Sequence, residues 1–171
     1  MKPYFDLYSK EVIKHFKKPH NMGRMKNPDG IGKVGNPICG DVMWVYIKVK
    51  EDKKTKKKRI SNIKFETFGC VAAIATSSMI TDLAKGKYLK EAMKISREDV
   101  ARSLGGLPPI KIHCSILASD ALSEAIYNYY LKNNLPIPKK LLVRHERIQR
   151  TLKTVEERHK EYMKLEKRLR K

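Results

Sequence analysis

Several residue classes are scarce in this sequence, and each shortage excludes a class of protein. Its 171 residues include 3 Cys, 1 Trp and 4 Phe. Three cysteines are too few, and odd in number, for a disulfide framework. No apolar run approaches the roughly 18 residues of a membrane span, and the first residues lack the apolar core of a signal peptide. These absences predict a cytoplasmic protein whose thiols bind metal or do sulfur chemistry.

Acidic residues are also scarce. The 18 Asp and Glu stand against 38 Lys and Arg, for a net charge of +20. Such a charge raises the hypothesis of a nucleic-acid-binding module. The stacking aromatics and groove motifs that such a module needs are not evident, so our hypothesis is that the basic surface serves acidic partners or a strongly ionic cytosol.

The hydrophobic pattern predicts both strands and helices. Alternating, β-branched runs predict a short extended piece at 31–34 and two strands at 42–50 and 60–68, with a lysine-rich hairpin loop at 51–59. Apolar residues at helical spacing predict helices at 7–18, 71–85, 88–95, 96–105 and 114–132.

Composition divides the chain into residues 1–132, a linker at 133–138 and an extension at 139–171. The extension has 13 Lys and Arg against 5 Asp and Glu. A heptad-like series runs along it: Leu141, His145, Ile148, Leu152, Val155, His159, Tyr162, Glu166 and Leu169. Because polar residues interrupt this series, it favours a helix laid across the domain or a partner over a long coiled coil.

Two of the cysteines lie in turn motifs that suit a metal ligand. Cys39 stands before Gly40, where glycine lets the backbone approach a metal closely, and before Asp41, a hard and exchangeable oxygen ligand. Cys70 follows Gly69 at a predicted helix N-terminus, where free N–H groups and the helix dipole favour a thiolate.

The third cysteine, Cys114, adjoins His113 at the start of a predicted helix. The helix end and Lys111 are expected to lower its pKa, which makes Cys114 a nucleophile for accepting sulfur. Three thiolates are one short of the usual four ligands of an iron–sulfur cluster. The fourth place falls to Asp41, His113 or an outside ligand. The same donors suit tetrahedral zinc, and three buried thiols without a ligand are the remaining alternative.

The histidines do not carry equal weight. His113 is singled out because Cys114 adjoins it. The other four lie in helical or connector segments, and we interpret them as surface or packing residues without partners: His15, His20, His145 and His159.

Several motifs occur in order and with ordinary spacing. They are residues 8–13 (YSKEVI), 35–43 (GNPICGDVM), 65–70 (FETFGC), 73–78 (AIATSS) and 107–118 (LPPIKIHCSILA). On these motifs, residues 4–132 resemble the iron–sulfur cluster assembly scaffolds of the IscU type, also found as the N-terminal domain of NifU. Val71 and Ala72 depart from the Gly-Ser pair that is common after the second cysteine.

This resemblance implies an α+β fold: a small, mostly antiparallel three-stranded sheet with helices packed on one face, here followed by a basic C-terminal helical extension. It implies a scaffold and not a turnover enzyme. Such a scaffold takes sulfur from a cysteine desulfurase and electrons from a ferredoxin-like donor. It assembles a transient [2Fe-2S] cluster with iron, as a homodimer, and hands the cluster to apo-proteins.

The resemblance also implies roles for particular residues. By matching positions, Cys114 is the main sulfur acceptor and Asp41 tunes cluster lability. Residues 107–111 match a segment that a heat-shock-type chaperone recognises. The implied cluster ligands are Cys39, Cys70 and Cys114 with Asp41 or His113.

A zinc-binding sulfur acceptor is the alternative within the same resemblance. That relative carries an insertion before the third cysteine and lacks the adjacent histidine. Here 43 residues separate Cys70 from Cys114, and His113 is present. Both features favour the scaffold.

Overall fold

The computed structural model describes residues 7–169, and side chains through residue 163. Its elements are α1 (Lys10–Lys17), β1 (Gly30–Gly35), β2 (Val42–Glu51), β3 (Lys58–Phe68), α2 (Val71–Ala84), α3 (Leu89–Ala92), α4 (Arg97–Ser103), α5 (Ile112–Lys132) and α6 (Lys139–Leu169). Residues 1–6 of the predicted domain and residues 170–171 of the predicted extension lie outside the described part. Within that part, no helix is long and apolar enough to cross a membrane.

The three strands form one antiparallel sheet in the order β1-β2-β3. Side chains alternate along β2, so that Met43, Val45 and Ile47 are fully buried while Trp44 and Lys48 on the opposite face are half-buried. Helices α2 and α5 cover the buried face. The predicted α+β class, with helices packed on one face of a three-stranded sheet, is confirmed.

Glycines in β1 let α5 pack directly on the sheet backbone. A Cβ atom on Gly30 would lie 2.2 Å from the carbonyl oxygen of Ala125, and one on Gly32 would lie 2.0 Å from that of Ala121. No side chain fits in either place, so this close approach fixes α5 against the sheet.

Two helix boundaries differ from the prediction for local reasons. Helix α1 begins three residues late because Ser9 caps it, its Oγ accepting a hydrogen bond from the N–H of Val12 at 3.1 Å. Helix α5 begins two residues early, because a 3-10 turn at Pro109–Lys111 runs directly into it. Cys114 therefore lies inside the first turn of α5 and not at its first position.

Helix α6 lies across α5 and β1, which is the first of the two predicted arrangements of the extension. Its apolar positions Leu141, Ile148 and Leu152 are buried. The side chains of Glu166 and Leu169, which end the predicted heptad series, lie outside the described part. The division of the chain at 133–138 stays a prediction.

Candidate functional site

The three cysteines lie in three connections at one end of the sheet. Cys39 is in the loop between β1 and β2, Cys70 is the N-cap residue of α2 directly after β3, and Cys114 is in the first turn of α5. Cys39 is exposed, Cys70 is half-buried and Cys114 is buried. A molecule that approaches from solvent therefore meets Cys39 first.

Asp41, Cys70 and Cys114 bring their ligand atoms together. The Sγ atoms of Cys70 and Cys114 are 4.0 Å apart, and a carboxylate oxygen of Asp41 and both sulfurs all lie within 4.8 Å of one another. Cys39 and His113 lie outside this group of three. The structure thus gathers three of the five predicted site residues, and the role of all five as ligands stays a prediction.

The loop that carries Cys39 is closed by its own hydrogen bonds. The N–H of Asn36 donates to the carbonyl of Asp41 at 2.9 Å, and that of Gly40 donates to the carbonyl of Asn36 at 2.8 Å. The backbone at Gly40 has φ +75°, which glycine adopts readily. A Cβ there would meet no atom within 4 Å. Backbone geometry therefore accounts for a glycine at position 40, and its predicted close approach to a metal stays a prediction.

Cys70 is prepared to be a thiolate. The pKa of Cys70 is lowered to about 5 despite partial burial, mainly by a hydrogen bond from the thiol of Cys114, with smaller contributions from the backbone N–H of Ala73 and the charge of Lys111. The prediction from the N-terminal helix position of Cys70 agrees with this direction.

Cys114 has the opposite surroundings. Its hydrogen bond to Cys70 and its burial raise its pKa, so the proton of the pair stays on Cys114. The prediction that Lys111 and the helix end lower the pKa of Cys114 is therefore wrong, because the hydrogen bond to Cys70 and burial of the sulfur raise it. Partial desolvation of its sulfur also raises the pKa of Cys39.

Asp41 and His113 each leave one buried polar atom without a partner. These atoms are the Oδ2 of Asp41 and the Nε2 of His113, and no other buried side-chain nitrogen or oxygen in the described part lacks a hydrogen bond. Such atoms are rare, because each costs about 1–3 kcal/mol. Asp41 lies beside the sulfurs of Cys70 and Cys114, and His113 adjoins Cys114 in sequence. Sulfur, carboxylate and imidazole donors together fit an iron–sulfur cluster or zinc.

Because Gly69 has no side chain, the Asp41 carboxylate can pack against its backbone, close to the cysteines. A Cβ atom at this position would lie 2.9 Å from the Cγ of Asp41 and 2.8 Å from the Cβ of Ala73. Any side chain at 69 would have to displace one of them. Sequence reasoning treated Gly69 only as a neighbour of Cys70, because a contact between the end of β3 and the start of β2 leaves no local signal.

Known proteins are similar to this chain over most of its length. The family model described as "NifU-like N terminal domain" matches residues 7–136. The chain belongs to this family. The family predicted from the motifs is thereby confirmed.

Relatives and solved structures agree with this membership. The chain is 57% identical over 127 residues to "Iron-sulfur cluster assembly scaffold protein IscU 1" of Archaeoglobus fulgidus, covering 74% of this chain and 79% of the relative. It is 48% identical over 128 residues to the scaffold protein IscU of Escherichia coli, covering 73% and 95%. A crystal structure of a hypothetical protein matches with a TM-score of 0.57 at 32% identity, covering 72% and 98%. The NifU-like N-terminal domain of Brucella abortus shares the fold, with a TM-score of 0.58 at 20% identity, covering 75% and 97%.

Helix α6 lies beyond the NifU-like match, which ends at residue 136. The second half of the helix borders a groove of about 710 Å³ beside the Cys39 loop. Its apolar lining comes from the loop, the sheet and α6: Pro37, Val42, Trp44, Phe68, Leu152 and Val155. The extension thus adds a surface next to the site of a NifU-like domain.

Three histidines away from the cysteines have partners that the prediction missed. The pairs, with the distance from each Nδ1, are His15 with Ser78 Oγ (2.8 Å), His20 with Asp82 Oδ2 (2.6 Å) and His145 with Glu124 Oε1 (2.8 Å). Each partner lies on a helix far away in sequence. His15 is buried, as a packing residue should be, and His159 is exposed.

Proposed function

We propose that this chain is a scaffold on which a [2Fe-2S] cluster is built from iron and desulfurase-derived sulfur before it passes to apo-proteins. Cys39, Cys70 and Cys114 supply three ligands, and Asp41 or His113 supplies the fourth. The chain accepts sulfur and holds a cargo, and is not a turnover enzyme.

The observation that carries this proposal is the pair of unpartnered buried atoms on Asp41 and His113. The large majority of buried polar atoms in folded proteins have hydrogen-bond partners, so these two exceptions point to a ligand. Both belong to the residues that are candidates for the fourth ligand. Family membership and the names of its relatives point to the same chemistry.

Sulfur enters from a persulfide on the desulfurase. A thiolate of this chain attacks the terminal sulfur, a new S–S bond forms as the old one breaks, and the desulfurase cysteine leaves as a thiolate. We assign the attack to Cys114. At rest the proton lies on Cys114 and its sulfur is buried. The attack therefore requires that proton to move to the thiolate of Cys70, whose Sγ is 4.0 Å away, and the Cys114 sulfur to become exposed when the desulfurase binds; the pair carries a single negative charge before and after the proton shift.

The proposal includes the partners that such a cycle needs. They are a cysteine desulfurase, a ferredoxin-like electron donor, apo-protein acceptors and a heat-shock-type chaperone, with a homodimer as the cluster-bound form. The chaperone contact is assigned to residues 107–111. The 3-10 turn there presents Ile110 with 69% of its surface exposed, three residues from His113, so a protein that grips this turn acts close to Cys114.

Anaerobic reconstitution tests the function directly. Ferrous iron with sulfide, or with a desulfurase and cysteine, should give the visible absorption of a [2Fe-2S] cluster, with its type settled by Mössbauer spectroscopy. Cys39→Ser, Cys70→Ser and Cys114→Ser should each abolish it. His159→Ala, an exposed histidine on α6, is the matched control and should assemble normally. Assembly in a chain with all three cysteines replaced would contradict the proposal.

The fourth ligand and the zinc alternative have their own readouts. Asp41→Ala should assemble a cluster that transfers more slowly if Asp41 is the labile ligand, and His113→Ala should change the spectrum if the imidazole binds iron. Metal analysis of the purified chain distinguishes the iron–sulfur scaffold from a zinc-binding sulfur acceptor. Tight, stoichiometric zinc that iron does not replace would favour a zinc-binding sulfur acceptor.

A further inference from the structure

Helix α6 contacts the chain that leads into the Cys39 loop at three successive points. The Nζ of Lys33 is 2.7 Å from the Oε1 of Glu156. The side chains of Leu152 and Val155 pack against Gly35, where a Cβ atom would lie only 3.2 Å from Val155. The Nη1 of Arg158 then donates a hydrogen bond to the carbonyl of Pro37 at 2.6 Å.

These contacts follow one another along both partners. Lys33 and Gly35 alternate on β1, so they share one face of the strand, and Pro37 follows two residues later in the turn. Leu152, Val155 and Glu156 follow helical spacing on one side of α6, and Arg158 is three residues beyond Val155. The contacts are therefore one continuous interface that ends on the loop, and Arg158 is its last member.

The first half of α6 fixes the position of this interface. Leu141, Ile148 and Leu152 are buried against the domain. Residues of α6 also bind two buried carboxylates of α5. Arg144 and Arg147 bind Asp120. His145 and Gln149 bind Glu124. Because these contacts hold α6 in a fixed position on the domain, an arginine on this helix can restrain the loop that it binds.

The tip of the Cys39 loop has one hydrogen bond of its own, from the N–H of Ile38 to the Oδ1 of Asn36 at 2.8 Å, and one to α6, through Pro37. The loop's own hydrogen bonds close its neck, between Asn36 and both Gly40 and Asp41. Beyond the neck, Ile38 is 86% exposed and Cys39 is exposed. Proline has no N–H, so the carbonyl is the one backbone group of Pro37 that can be bound, and Arg158 binds it.

We propose that Arg158 is a positioning residue, which holds the Cys39 loop against α6 and thereby slows the departure of Cys39 from a bound cluster. The effect on the departure of Cys39 rests on the proposed function. Transfer is a ligand exchange without a redox step: the Cys39 thiolate leaves iron and a thiolate of the acceptor takes its place. A loop tied at Pro37 opens less often, so the outermost ligand is released more slowly.

Hydrogen exchange of the metal-free, full-length chain tests the positioning. Arg158→Ala should speed exchange of the Ile38 and Gly40 amides by about two- to tenfold, the effect of losing one exposed hydrogen bond. Arg158→Lys, which keeps a donor, should restore most of the protection. Arg150→Ala is the matched control, because Arg150 is exposed on the same helix and, among the described residues, its side chain bonds only to the Glu146 carbonyl of α6. Unchanged loop exchange in Arg158→Ala, or an equal increase in Arg150→Ala, would overturn the positioning role.

Cluster transfer to an apo-ferredoxin tests the consequence. Arg158→Ala should release its cluster severalfold faster than the wild type and Arg150→Ala, with the same cluster spectrum. Faster loop exchange with an unchanged transfer rate would overturn the control of release. Exchange is measured without iron or sulfur, so failure of the chain to assemble a cluster would refute the proposed function and leave the loop result standing.

Discussion

The sulfurs of Cys70 and Cys114 lie 4.0 Å apart, and the hydrogen bond between them lowers the pKa of Cys70 and raises that of Cys114. Cys70 is half-buried at the start of α2, and Cys114 is wholly buried in α5. The buried member keeps the proton and the helix-terminal member carries the charge, so the pair holds a thiolate in place before any metal arrives. This division was not visible in the sequence, where both cysteines stand at helix starts.

Selective alkylation of Cys70 follows from this pair. With a pKa lowered to about 5, Cys70 is a thiolate throughout the neutral range and protonates only in acid. Iodoacetamide labelling of the metal-free chain should therefore be nearly independent of pH between about 6 and 8 at Cys70. Labelling at Cys39, whose pKa is raised, should climb with pH over the same range. Peptide mass spectrometry after pulse labelling measures both.

The partner thiol provides the control for this labelling. Cys114→Ala removes the hydrogen bond that is the largest cause of the low pKa, so the pH profile of Cys70 should move upward. Cys39 is the internal reference in the same sample. A Cys70 profile that follows that of Cys39 in the wild type would contradict the lowered pKa of Cys70.

Replacement of Asp41 should stabilise the metal-free chain. The Oδ2 atom of Asp41 is buried without a hydrogen bond, so Asp41→Ala should raise the free energy of unfolding by about 1 kcal/mol. Urea denaturation with chelator and reductant, followed by the fluorescence of Trp44, measures the change.

A satisfied aspartate gives the matched comparison. The Oδ1 of Asp52 accepts hydrogen bonds from the N–H groups of Lys54 at 3.0 Å and Thr55 at 2.8 Å. Asp52→Ala should therefore lower stability by about 0.5–1 kcal/mol. Equal losses in the two variants would show that the Asp41 carboxylate is satisfied in the metal-free chain.

Gly69→Ala should be costly because of what its methyl group would meet. Overlap with the Cγ of Asp41 at 2.9 Å and the Cβ of Ala73 at 2.8 Å should lower the free energy of unfolding by about 1–3 kcal/mol. Asp41→Ala in the same chain removes one of the two overlaps. The double variant should therefore lose less than the sum of the single changes predicts.

Gly40→Ala separates overlap from backbone strain. A Cβ on Gly40 meets no atom within 4 Å, but its positive φ should cost about 1–2 kcal/mol. This loss should not be relieved by Asp41→Ala. Urea denaturation of the three single and two double variants measures each coupling, and strict additivity of Gly69→Ala with Asp41→Ala would contradict the contact.

Local patterns predicted the sheet well and the site only in part. The β-branched residues of β2 and β3 predict both strands within two residues of their observed bounds, because the alternating pattern of a half-buried strand lies within its own sequence. The start of α5 was misplaced, since a 3-10 turn after Pro108 continues into the helix. That shift put Cys114 inside the core, where the pKa expected from a helix end no longer applies.

The polar interruptions of α6 show why its packing could not be predicted. His145 stands at a heptad position that the sequence marks as unfavourable for a buried seam. In the structure its Nδ1 is 2.8 Å from the Oε1 of Glu124, and its ring stacks on Tyr127 with centroids 3.7 Å apart. Both partners belong to α5, about 20 residues away, and one sequence does not reveal such a pairing.

The buried carboxylate of Asp120 makes the docking of α6 testable. Asp120 is 6% exposed, and it accepts hydrogen bonds from the Nε of Arg144 at 2.8 Å and the Nη2 of Arg147 at 2.7 Å. Arg144→Ala with Arg147→Ala leaves this buried charge without a cation. The double variant should lose about 3 kcal/mol of unfolding free energy in urea denaturation.

A third substitution shows whether the buried charge causes that loss. Asp120→Asn in the double variant replaces the uncompensated carboxylate with a neutral amide, so it should recover much of the lost stability. Arg150→Ala is exposed on the same helix and should stay within about 0.5 kcal/mol of the wild type. Amide exchange along 139–163 distinguishes undocking of α6 from global unfolding. If the double variant kept both its stability and its α6 protection, the Asp120 contacts would not be what anchors the helix.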